Sequence, residues 1–182
     1  MSESLKAEIQ KWRNVKRDRP QVIDTPGPGQ ESVWDYPRPP RLETVQHYVR
    51  IVHQDVVLAD THEAFRVCET AGPPVYYIPV EFVSFDHLVQ SKSDITLCEW
   101  KGLATYWTLK YNDQTIEDVA WSYPKPFPGY ETLKNALAFF PGKIDCFVND
   151  EHVQPQPGKY YGGWVTSNIT GPFKGEPGSK GW

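Results

Sequence analysis

Between Ala104 and Tyr123 the chain reads ATYWTLKYNDQTIEDVAWSY, two runs rich in β-branched and aromatic residues on either side of Asn112-Asp113-Gln114. Asn and Asp accept the backbone of a tight reversal, so the pattern predicts an antiparallel hairpin. A lone hairpin is only marginally stable in water, and this one needs further strands to cover its rings. Alternation puts Thr105, Trp107 and Leu109 on one face and Ala104, Tyr106 and Thr108 on the other. On the second run Val119, Trp121 and Tyr123 are expected to share a face.

The remaining segments read the same way. With 17 Pro and 13 Gly among 182 residues, long helices are excluded and short strands joined by turns are favoured. HYVRIVHQDVVLAD predicts a hairpin, THEAFRVCET reads as a strand or one or two helical turns with the abrupt AGPP favouring the strand, VYYI predicts another strand, and Pro79 a short helix or 3₁₀ turn through Phe82. IDCFVNDEHV predicts a further hairpin bending at Asn149-Asp150, and LKNAL, residues 133–137, a helical stretch. Leu5, Ile9 and Trp12 recur at helical spacing, which predicts a short amphipathic N-terminal helix. From Arg19 to Glu43 six prolines exclude regular structure, and the Trp34 and Tyr36 rings within ESVWDYPRPPRLE predict a strap lying on the body. After Val153 the aromatics Tyr160, Tyr161, Trp164, Phe173 and Trp182 predict an extension that wraps onto the body or across a dimer, because disordered tails are poor in rings. The expected organisation is a helix and Pro-rich connector over 1–45, one mainly antiparallel β domain of seven or eight short strands over 46–153, and a Gly/Pro/aromatic extension over 154–182.

Charge and composition exclude several classes. Nineteen Lys and Arg against 23 Asp and Glu, a net charge of -4, give no broad positive field for a nucleic-acid backbone. No apolar run approaches the roughly 18 residues of a membrane helix, and the charged opening lacks the apolar centre of a signal peptide. Cys68, Cys98 and Cys146 are odd in number and far apart, which fits a reducing compartment. A cytoplasmic monomer or homodimer is therefore expected. No C-x-x-C or H-x-x-x-H pair is present, so neither metal nor cofactor is expected. GPFKGEPGSKG has the residues of a phosphate loop in the wrong order and no helix after it. Glu117 and Asp118, neighbours on a strand, diverge and make a poor ion-binding pair.

Chemistry concentrates in TLCEWKGLATYWTLK, residues 96–110. Cys98 reads either as a small buried hydrophobe or as a thiolate activated by Lys101 and Arg66. Arg66 and Glu69 read either as a structural ion pair or as a guanidinium offered to a ligand. Of Tyr76, Tyr77, Tyr106, Trp107, Trp121 and Tyr123, alternation sends about half into a core, leaving the others to line a concave pocket.

Several of these motifs occur in an order that resembles a known family. LAD, ETAGPPVYYIP, the Cys98-x-x-Lys101-Gly102 run, the following Tyr-Trp and DVAWSYP, between about residues 48 and 151, look like the domain of unknown function 427 family. ESVWDYPRPP, YYGGWV and GPFKG resemble its extended members. The resemblance implies a β-tent-like (Mss4-like) fold, similar to that of zinc proteins such as methionine sulfoxide reductase B and the ligand domain of cereblon. Those proteins hold their metal with paired C-x-x-C motifs, which this chain lacks, so a metal-free version is implied. The family also carries a nucleotidyltransferase-like label that these residues do not support. By resemblance, a shared pocket draws on Arg66, Glu69, Tyr77, Cys98, Lys101, Tyr106, Trp107 and Trp121.

Three functions follow as expectations. In the leading one, Arg66, Tyr77, Lys101, Tyr106, Trp107 and Trp121 bind a small polar or planar organic molecule. In the second, Cys98 is an enzymatic nucleophile with Glu69 as proton carrier, assisted by Lys101 and Arg66. In the third, Trp34, Trp164 and Trp182 form an apolar surface for assembly.

Overall fold

The structure, a computed structural model, describes residues 2–182. It begins with helix α1 (Glu3–Arg13), capped by the Ser2 hydroxyl, which accepts from the Leu5 amide. The strands follow as β1 (Glu31–Ser32), β2 (Arg41–Val45), β3 (Val49–His53), β4 (Val56–Thr61), β5 (Ala64–Cys68) and β6 (Val75–Pro79). Next come β7 (Leu88–Gln90), β8 (Thr96–Cys98), β9 (Gly102–Tyr111), β10 (Gln114–Ser122) and β11 (Ala136–Phe139). The last are β12 (Asp145–Val148), β13 (Glu151–His152), β14 (Gln154–Pro155), β15 (Trp164–Val165) and β16 (Ile169–Thr170). The main sheet runs β2-β5-β6-β11-β10-β9-β7, with β8 also paired to β9, and every pairing in it is antiparallel. A smaller antiparallel sheet, β13-β12-β3-β4, packs on one of its faces. The chain is thus mainly antiparallel β with one short helix. Among the described residues no helix is long and apolar enough to cross a membrane.

Strand alternation divides the interior in two. Tyr76, Ile78, Leu137, Phe139 and Leu109 face the smaller sheet, where they meet Val49, Ile51 and Leu58. Tyr77, Ala136, Ala138, Trp121 and Tyr123 face the other way and gather a second, aromatic cluster. The hairpins at Asn112-Asp113 and Asn149-Asp150 form as their turn residues predict, with φ of 50° at Asn112, 49° at Asn149 and 66° at Asp150.

Two expectations are corrected. LKNAL is helical only in its first half: Leu133 to Asn135 end a 3₁₀ helix, Glu131–Asn135, which leads straight into β11, where Leu137 and Phe139 alternate with Ala136 and Ala138 between the two cores. Val119 does not share a face with Trp121. Between Ile116 and Ala120 the register against β9 shifts, Asp118 turns to φ 54°, and Val119 packs with Ala120 in the first core. Such a bulge adds unpaired residues and breaks the period of two.

The flanks are integral to the body. β2 belongs to the stretch read as a connector, yet it pairs along its length with β5. β1 and β16 form a short parallel pair that joins the N-terminal strap to the C-terminal extension. Trp164 is 0% exposed, stacks on Tyr76 with centroids 5.0 Å apart, and donates its indole N–H to the Phe139 carbonyl at 3.0 Å. Trp34 is also buried, meeting Trp182 edge-on at 5.4 Å. These rings are taken up by the chain's own packing. Replacing Trp164 by Ala should cost about 3–5 kcal/mol, because it removes a filled core volume and orphans a buried carbonyl. Urea unfolding monitored by circular dichroism measures this; a loss below about 1 kcal/mol would show that the extension is dispensable to the core.

Candidate functional site

The aromatic side of the main sheet holds the chemistry. β8 and β9 are joined through Glu99, Trp100 and Lys101, and Cys98 pairs across to Gly102. The Lys101 amide donates to the Cys98 sulfur at 3.5 Å, closing the turn. Gly102 has φ 123°, and a Cβ there would meet the Lys125 carbonyl at 3.1 Å, so only glycine lets the 125–127 segment cross so closely. The Phe127 amide ties that crossing to the Lys101 carbonyl at 3.0 Å. Held on both sides, Lys101 is 9% exposed.

Around it stand Tyr77, Trp121, Tyr123 and Tyr130, with Cys98, Trp100, Tyr106 and Phe140 at the margin. Tyr77 is fully buried, edge-on to Trp121 at 6.1 Å and tilted to Tyr123 at 6.3 Å. Its hydroxyl makes no close hydrogen bond, although the Trp121 and Tyr123 side chains lie near it, and neither does the buried Trp100 indole N–H. Among the described residues no carboxylate pairs with Lys101. Burial alone would strip the proton from this amine; the Cys98 sulfur first, then Tyr77 and Glu69, outweigh it and hold the Lys101 pKa above the ordinary lysine value. Burial pushes the Tyr77 phenol up to about 12, against the pull of Lys101, and raises Tyr123 as well.

The rim is charged. Arg38 donates to Glu69 at 2.8 Å and to Glu99 at 2.6 Å, and its guanidinium lies 5.5 Å from the Trp100 ring centre. Arg13 of α1 covers the same ring at 4.9 Å and donates to the Glu99 carbonyl at 2.8 Å. The C-terminal extension crosses Trp121 at Gly162, where any side chain would collide with the indole ring. Helix and extension thus close over two sides of the cluster.

The residues singled out in the sequence separate into two groups. Tyr77, Cys98, Tyr106 and Trp121 join Lys101 on this face, with Glu69 at its rim. Tyr106 exchanges a hydrogen bond with Thr96 at 2.6 Å. Arg66 points from the opposite face of β5, into a buried network with Glu31 at 2.9 Å and Glu43 at 2.7 Å. Trp107 also lies on the far face, donating to Ser122 Oγ at 3.1 Å and edge-on to Phe85. Arg38, Trp100 and Tyr130 belong to the site although the sequence did not nominate them, whereas Tyr123 was among the six rings weighed for a pocket. Tyr123 was accessible through its alternation with Trp121; Arg38 and Tyr130 had no local signal. Among the described residues no three His, Cys, Asp or Glu side chains converge as a metal site. Shallow recesses lie elsewhere, one of about 260 Å³ lined by His47, Tyr76 and Glu151, another of about 240 Å³ between α1 and Phe127.

Residues 41–150, well over half of the chain, match the family described as Domain of unknown function (DUF427). No curated protein matches the chain. The matched span holds the whole aromatic cluster, whereas α1, the strap and the extension lie outside it.

Burial raises the pKa of Tyr36, Tyr76, Tyr77 and Tyr123 in the folded chain, to about 12 for Tyr77. Unfolded phenols ionise near their ordinary value of about 10, so the unfolded state loses these protons first and stability should fall as pH rises from about 10 through 12. Phenolate absorbance should then show part of the ten tyrosines ionising only as the protein unfolds. A titration in which all ionise together at the ordinary pH, in a chain that stays folded, contradicts the burial.

Proposed function

We propose, from the premise that this chain belongs to the Domain of unknown function (DUF427) family, that it binds a small planar or polar organic molecule on the aromatic face of its main sheet. One observation carries the reading: a lysine only 9% exposed and without a carboxylate partner shares a cluster of rings with a buried phenol and a buried indole N–H that make no close hydrogen bond. Buried polar groups are almost always satisfied, and each that is not costs about 1–3 kcal/mol. A ligand bearing a carboxylate or carbonyl would accept from Lys101 and Trp100 while its plane rests against Trp121 and Tyr106. In this reading the protein is a monomer or homodimer of the cytoplasm, whose reducing conditions suit three free thiols.

A second reading makes the site an enzyme with Cys98 as nucleophile. It is favoured by the fact that Cys98 keeps solvent access while Cys68 and Cys146 are buried, and by the adjacent ammonium of Lys101. Glu69, held by Arg38 at the rim, would carry the proton.

Both readings are tested together. A thermal-shift series of aromatic carboxylates and amides should contain compounds that raise the melting temperature of the native chain, with the rise lost in Lys101→Met. Iodoacetamide should label one thiol, Cys98, in the folded protein, and bound ligand should slow it. No shift with any compound removes the binding reading; an inert Cys98 at neutral pH removes the enzyme.

A further inference from the structure

We infer that the seam between the N-terminal segment and the C-terminal extension is an anion-binding subsite, built from Arg17, Tyr161 and Lys174. All three lie outside the family-matched span. The seam is fixed by main-chain bonds: Asp18 N–H to the Gly181 carbonyl at 2.9 Å, and Lys174 N–H to the Ala71 carbonyl at 2.7 Å. Gln156 locks the other side of Lys174, donating to its carbonyl at 2.7 Å. From this anchored backbone the Lys174 ammonium lies 5.5 Å from the centre of the Tyr161 ring. Among the described residues it makes no hydrogen bond and no ion pair. Arg17 donates one Nη to the Trp182 main-chain oxygen at 3.2 Å, while its Nε is buried with no acceptor.

The two cations are near enough for Arg17 to act on the charge of Lys174, and both have donors to spare. Burial, then the neighbouring Arg17 and Arg38 charges, lower the Lys174 pKa to about 8; Glu69 and Glu99 oppose this but are already engaged by Arg38. Tyr161 feels Arg17 and Glu69 as well, with Tyr160 beside it. A cation crowded by like charge in a half-buried place is relieved by an anion. The orphan Arg17 Nε and the Lys174 ammonium supply charge-assisted donors for a carboxylate, sulfate or phosphate oxygen, and the Tyr161 ring supplies a face for the attached group. Glu69 neighbours Lys101, Lys174 and Tyr161 alike, so the subsite opens beside the rim of the aromatic cluster. The inference deepens the binding reading above by naming the ligand's class: an organic acid or phosphorylated compound whose charged end sits at the seam.

The test titrates the full chain with sulfate and, separately, with benzoate, two anions whose charge is constant near neutral pH. The first probes a tetrahedral oxyanion and the second an aromatic carboxylate. At least one should bind by calorimetry, and Lys174→Gln and Arg17→Gln, checked for folding by circular dichroism, should each weaken it about tenfold or more. As pH rises from about 7 to about 9, Lys174 loses its proton and the affinity should fall. Lys174→Arg keeps the charge throughout, so it should bind and show no such fall. If neither anion binds, or if both Gln variants bind as the parent does, or if the pH dependence survives in Lys174→Arg, the subsite is wrong. Lys101→Met separates the two proposals. Binding that needs Lys174 and Arg17 but not Lys101 upholds the seam whatever happens at the cluster; binding that needs Lys101 alone upholds the cluster and overturns the seam.

Discussion

A guanidinium cannot shed its charge, so a buried one must be held by carboxylates from wherever the chain can bring them. Arg66, 7% exposed in the middle of β5, takes Glu43 from the adjoining strand and Glu31 from the strap. Its charge is favoured further by these bonds although burial opposes it. Removing one carboxylate would leave an uncompensated buried charge, so the strap is not free to drift. Once Glu31 is fixed, β1 is in register to pair with β16, and the C-terminal extension is drawn along the same side of the body. Tyr36, donating to Glu31 at 2.9 Å, braces the strap, and Trp34, whose indole donates to the Pro172 carbonyl at 2.9 Å, fastens it to the extension.

The extension has a second physical reason to be where it is. A sheet with rings on both faces cannot leave either open to water. One face is covered by β3, β4, β12 and β13, but near Tyr76 and Phe139 that cover is incomplete without Trp164. The other face carries Trp121 and Tyr123, over which Gly162 passes without a side chain. The family-matched span ends at residue 150, yet the core it builds closes only with residues beyond it.

Much of this fold was legible because it is written locally. Asn112-Asp113 and Asn149-Asp150 announce their hairpins by turn chemistry, Leu5, Ile9 and Trp12 announce the helix, and the abundance of rings in the extension predicts that it docks. The bulge at Asp118 left no trace, since an Asp at φ 54° reads as any polar strand residue; everything inferred about Val119 by alternation was displaced with it. The LKNAL segment misled because Leu and Ala favour helices, a weak preference that the needs of two cores override. For the site, the run from Cys98 to Trp121 was accessible as one hairpin, and five of its neighbours do share a face. Arg66 could not be placed correctly, because its partners lie 23 and 35 residues away and a carboxylate in a Pro-rich strap gives no sign of where it reaches.

The two faces of β5 and β6 differ in how far their buried polar groups satisfy one another. On one, Arg66, Glu31, Glu43, Tyr36 and the His47–Tyr76 pair, 2.7 Å apart, find partners among themselves. On the other, Lys101 has sulfur for company, Tyr77 and Trp100 make no close hydrogen bond, and the nearby carboxylates Glu69 and Glu99 are spent on Arg38. Both faces are built from the same kinds of side chain at similar depth, so burial and composition do not distinguish them. Unmet hydrogen-bonding capacity does. A fold that can saturate one buried polar network completely, and leaves a second one open a strand's thickness away, is stable enough to carry the deficit; the open side is where a molecule supplying acceptors gains most by binding.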